Sequence, residues 1–137
     1  LILALSFSVL SASAQENGFN PSDPGCAERY AKFDFQGKFA ALVFSDKVNN
    51  YYLVNFSLLP TRFEKIWFMN MAFKNGKVVN IDPNVSRSQV WFQSNLKYPS
   101  DEILLLFGQL RTRTGEAAVD LNGQQQEKWL RENDKYK

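Results

Sequence analysis

Carboxylates are the side chains of this sequence best suited to chemistry, because histidine is absent and cysteine occurs once. Without His the chain cannot build a Ser-His-Asp triad, a Cys-His dyad, an imidazole-bound zinc or a histidine pH switch. Two carboxylates about 5–10 Å apart in a cleft would be enough for glycoside hydrolysis. Asp82 is the most interesting acid, since a hairpin turning at Asn75-Gly76 sets it across from Met69 on an apolar face. An apolar setting there would raise its pKa and suit it to proton transfer. The simpler reading is a turn residue, as Pro83 follows it. Glu64 falls on the opposite face of the expected strand pair, and Asp101 and Glu102 suit the first turn of a helix. Glycine-rich phosphate loops are missing, and Asp82-Pro83-Asn84-Val85-Ser86 lacks the glycine and glutamate of a calcium loop. No cofactor and no metal are therefore expected. A small carboxylate-dependent hydrolase built around Asp82 is the remaining enzymatic reading.

The second candidate is an apolar ridge. Lys74-Asn75-Gly76-Lys77 holds an Asn-Gly pair, the strongest short-range signal for a β-hairpin. With Asn75-Gly76 as the loop, a strand over Glu64–Phe73 pairs with Lys77–Asp82, Phe73 facing Val78 and Met71 facing Asn80. Strand alternation then sets Trp67, Met69, Met71 and Phe73 on one face. Ile66, Phe68, Asn70 and Ala72 share the other face with Val79 and Ile81, which mark it as the main core. Met and aromatic residues are over-used on adaptable binding surfaces. The ridge is thus the expected binding surface, for a protein partner, a second copy of the chain or an apolar ligand. The simpler alternative is a second core layer beneath a helix.

The chain holding these residues has 137 residues and a net charge of +2, with acids and bases interleaved. Arg111-Thr112-Arg113 sets two bases together without an acid between them, but such short pairs make no basic stripe for nucleic acid. Leu1–Leu10 is an uncharged apolar run followed by small residues ending in Ala12-Ser13-Ala14. This is the pattern of a secretory signal peptide, and the run is too short to span a bilayer. The expectation is a cleaved segment over 1–14, a mobile leader over 15–23 and a single α+β domain over 24–137. The mature chain would be exported, periplasmic or extracellular, with no integral membrane span. Cys26 would be either buried or available for a bridge between chains.

Asp23 before Pro24 predicts a short helix over Pro24–Phe33. Apolar runs separated by turn formers predict five strands, over Phe39–Phe44, Tyr51–Leu59, Glu64–Phe73, Lys77–Asp82 and Ser88–Ser94. Ser100 reads as the N-cap of a helix docked through Ile103, Leu106, Phe107 and Leu110 and closed by Gly115. A last, mostly polar helix over Gln124–Asn133 offers Trp129 and Leu130 as anchors. The architecture expected is α+β: a five-stranded antiparallel meander with a short N-terminal helix and two C-terminal helices, packed mainly on one face. A small open barrel is the structural alternative. The function expected is an exported, non-catalytic interaction or ligand-binding module, with a carrier of an apolar ligand or lipid as the alternative.

Overall fold

One aspartate closes the first hairpin. Strands β1 (Ala40–Ser45) and β2 (Asn49–Asn55) are joined at Asp46. Its Oδ1 accepts the backbone N–H groups of Val48 and Asn49 at 2.8 and 2.7 Å, and Oδ2 accepts the Tyr51 hydroxyl at 2.8 Å. A side chain that hydrogen-bonds the backbone two and three residues ahead fixes a tight turn. The computed structural model describes residues 33–81, 85 and 87–136. The expected signal segment, the leader, Cys26, Asp82 and all but the last residue of the helix over Pro24–Phe33 lie outside them.

β2 stops at Asn55, earlier than the sequence suggests, because the Asn55 side chain accepts the Ser57 N–H at 3.2 Å and starts a 3-10 turn over Phe56–Leu58. The expected third strand is a helix, α1 (Arg62–Asn75). Thr61 caps it: its hydroxyl accepts the Glu64 N–H at 3.2 Å and donates to the Glu64 carboxylate at 2.8 Å. The spacing is that of a Thr-x-x-Glu helix start, with the glutamate bonded to the Thr61 hydroxyl instead of to its backbone N–H. Gly76 ends the helix at φ +81°, a left-handed conformation that glycine adopts without Cβ strain. Asn75-Gly76 is therefore a helix stop and not a hairpin loop.

A helix in this place changes the topology. Among the described residues, β3 (Val78–Asn80) and β4 (Gln89–Asn95) complete a sheet of four strands, not five, in the order β1-β2-β4-β3 with every neighbouring pair antiparallel. β4 lies between β2 and β3, so those two run parallel and α1 is the crossover between them. A meander would have set β2 beside β3. The fold remains α+β with an antiparallel sheet and three described helices.

α2 (Ser100–Asp120) begins after Pro99, which makes no side-chain cap, so Ser100 is its first residue and not its N-cap. It runs through Gly115, the expected stop, since Ile103, Phe107, Leu110, Thr114 and Ala117 continue one buried stripe. A helical glycine costs about 1 kcal/mol, which such packing outweighs. α3 (Gly123–Asn133) starts with a full capping box: Asn122 Oδ1 accepts the Gln125 N–H, and Gln125 Oε1 accepts the Asn122 N–H, both at 2.9 Å.

The two sheet faces differ. Tyr52, Val54, Val90 and Phe92 pack with Phe68, Ile66, Met69 and Ala72 of α1 and Ile103, Phe107 and Leu110 of α2. Phe107 lies 5.6 Å from Tyr52 and 5.2 Å from Phe92, ring centroid to centroid. The opposite face is a smaller cluster of Phe35, Val43, Tyr51, Leu53 and Trp91, with Phe33, Ala41 and Phe44 against it.

Candidate functional site

In a helix, two residues advance the side chain by about 200°, so a strand ridge cannot survive in α1. Trp67 is half-buried, with its ring 4.8 Å from that of Trp129 and 5.4 Å from that of Phe63. Met69 is buried in the main core. Met71 is half-buried and faces α2, while Phe73 is 69% exposed. Trp67, Met69, Met71 and Phe73 therefore do not form one surface. Val79 and Ile81, expected to mark the core side, are exposed, and Val78 carries the core contact instead.

Two of the described acids, Asp46 and Asp134, are committed to local structure. Asp46 holds its hairpin, and the Val48 and Asn49 N–H groups keep its carboxyl below the usual carboxylate range. Asp134 is clamped by Arg62, with Nε to Oδ2 at 3.0 Å and Nη2 to Oδ1 at 3.1 Å, and Arg62 also donates to the Tyr136 carbonyl at 3.1 Å. The paired forks fix the chain leaving α3 against the start of α1. Burial pushes the Lys65 ammonium down, and it donates to the Leu59 carbonyl.

Polar groups also enter the core. Ser45, Asn50 and Ser94 form a row across β1, β2 and β4. The Ser45 hydroxyl donates to Asn50 Oδ1 at 2.5 Å, and the Ser94 hydroxyl donates to the Lys77 carbonyl at 2.8 Å. The nearby Tyr52 hydroxyl is buried, and that burial raises its pKa, outweighing the lowering effect of the Asn50 side chain beside it. Among the described residues no three His, Cys, Asp or Glu side chains gather to hold a metal ion. No described helix is long and apolar enough to cross a membrane.

What α1 and α2 do build is a half-open groove of about 270 Å³. Met71, Leu106 and Leu110 supply apolar side chains, Asn75 and Gln109 supply amides, and Lys74 and Arg113 supply the charge. Leu106, expected in the core stripe, is half-buried here because Ile103, Phe107 and Leu110 occupy the core-facing direction. Lys74 lies on α1 and Arg113 on α2, so each wall contributes a cation. Neither forms an ion pair among the described residues, where the bridges are Arg62–Asp134 and Lys77–Glu102. No carboxylate lines the groove. In the last turn of α1, Lys74 also complements the negative end of the helix dipole. Arg111, by contrast, is engaged, with its guanidinium 5.1 Å from the centre of the Phe39 ring.

The sequence pointed to parts of this site but not to the whole. Met71 was singled out by the sequence, but with neighbours other than those it has in the groove. Arg113 was visible only as half of a basic pair, and Lys74 only as a turn residue. Comparison of the chain with protein-family models, with curated proteins and with solved structures finds no match in any of the three.

Proposed function

We propose that this chain is an exported, non-catalytic binding module whose contact surface is the groove between α1 and α2. The observation that carries the reading is an apolar floor of Met71, Leu106 and Leu110, left open between two helices and edged by two cations without ion partners among the described residues. Binding sites combine concave apolar surface with a few placed polar groups, as this one does. Export is supported by the apolar run over Leu1–Leu10 and the small residues ending at Ala14. The non-catalytic reading is supported by Asp46 and Asp134, each committed to local structure.

Two measurements test it. Protein recovered from outside the cytoplasm should begin at Gln15 on N-terminal sequencing, and a product retaining Leu1–Leu10 would end the export reading. For the groove, a neutral apolar probe such as 1-octanol should shift the methyl resonance of Met71 and leave that of Met69 in place. These are the only two methionines, so the comparison is internal. Equal shifts, or none, would remove the groove as a binding surface.

A further inference from the structure

We infer that the groove receives a single-chain amphiphile with a carboxylate head, a medium-chain fatty acid in chemical class. The inference rests on the groove reading above and adds the charge and shape of the occupant. Arg113 and Lys74 place positive charge on both walls, and the remaining polar lining is the neutral Asn75 and Gln109. Nothing in the lining would repel an anion. Both cations are exposed and free of ion partners among the described residues, so a carboxylate would gain a partner without displacing one. Guanidinium and ammonium groups recognise carboxylates through short charge-assisted hydrogen bonds.

The apolar part of the occupant follows from the floor. Met71, Leu106 and Leu110 are a flexible thioether and two branched aliphatic chains, with no aromatic ring among them. Such a floor suits an alkyl chain, and methionine adapts to it by rotamer change. The volume of about 270 Å³ lies just below the roughly 300–1,000 Å³ typical of pockets for drug-sized ligands. One short chain fits it better than a ring system or a two-chain lipid.

The test uses the folded chain and three ten-carbon probes below their micellar concentrations: decanoate, 1-decanol and decyltrimethylammonium. Titration is followed by the Met71 and Met69 methyl resonances and by calorimetry. Decanoate should shift Met71 selectively and bind about tenfold more tightly than decanol, a difference of about 1.4 kcal/mol. Its affinity should fall as salt is raised, because the pairing is exposed. Decyltrimethylammonium should bind more weakly than either. The double variant K74E/R113E, at two exposed positions, should keep the wild-type melting temperature and lose the preference for decanoate. Equal binding of all three probes at Met71 would overturn the anionic occupant while leaving the groove a binding surface. Wild-type affinity of K74E/R113E for decanoate would overturn the anionic occupant in the same way. No shift at Met71 with any probe would overturn both readings together.

Discussion

The two halves of α1 are built from similar residues and meet different fates. In the N-terminal half, Phe63 and Trp67 are closed over by Trp129 of α3, at ring separations of 5.4 and 4.8 Å. The Arg62–Asp134 pair fastens that cover at its edge. In the C-terminal half, Met71 faces an open groove and Phe73 is largely in solvent. Intrinsic hydrophobicity does not separate the halves. What separates them is whether a later segment of the chain returns to cover them, and α3 covers only one.

The largest effect should come from the floor beneath both halves. Phe107 is fully buried and stacks near Phe68, Phe92 and Tyr52. Phe107→Ala should cost about 3–5 kcal/mol in denaturant titration, with Trp fluorescence and the Met71 methyl reporting the same transition. Separate transitions would show that the halves do not share one core. Trp129→Ala attacks the covered half alone. Because Trp129 is half-buried, the loss should be smaller, about 2 kcal/mol. Amide exchange should rise in α3 while α2 stays protected. If exchange rises equally in both, α3 is not a separate cover.

A site remote from α1 serves as the control. Asp46→Ala should cost about 1 kcal/mol by freeing the Val48 and Asn49 N–H groups. The Asp46 carboxyl is held below its unfolded pKa, so its contribution is present above the unfolded pKa and is lost as pH falls through the lower folded value. Asp46→Asn, which keeps an acceptor oxygen, should remove that acid dependence and leave the Met71 methyl unmoved. The smallest effect should be at Phe73. Phe73→Ser should leave stability within about 0.5 kcal/mol, as at an ordinary surface position. A larger loss would mean that the open half is covered after all.

β1, β4 and α3 were legible close to their observed limits, while β2 and α2 were legible in kind, β2 stopping short of Leu59 and α2 running past Gly115. α1 was not. Phe63, Ile66, Phe68, Met69 and Ala72 are all buried, since the helix meets the sheet, α2 and α3 at once. A helix buried around most of its circumference shows no single apolar stripe, and its sequence then passes for an apolar strand. Asn75-Gly76 strengthened the error, because a type I′ turn and a helix C-cap both require a positive φ. The contrary signal was present in Thr61-Arg62-Phe63-Glu64 after Pro60, a helix start written in four residues. The groove was less legible than the fold. Its walls belong to segments more than thirty positions apart, and one of them was assigned to the wrong element.

The insertion of β4 between β2 and β3 has a consequence for synthesis. As the chain leaves the ribosome, β2, α1 and β3 all emerge before the strand that joins β2 to β3. Tyr52 must wait for Phe92, forty positions later, to complete the longest ladder of the sheet. Until then β2 offers an unpaired edge beside Leu53 and Val54, the kind of template that neighbouring nascent chains can extend. Non-local pairing of this sort slows folding. A chain stalled before Gln89 therefore carries this edge uncovered, and release of the β4 segment is the step that silences it.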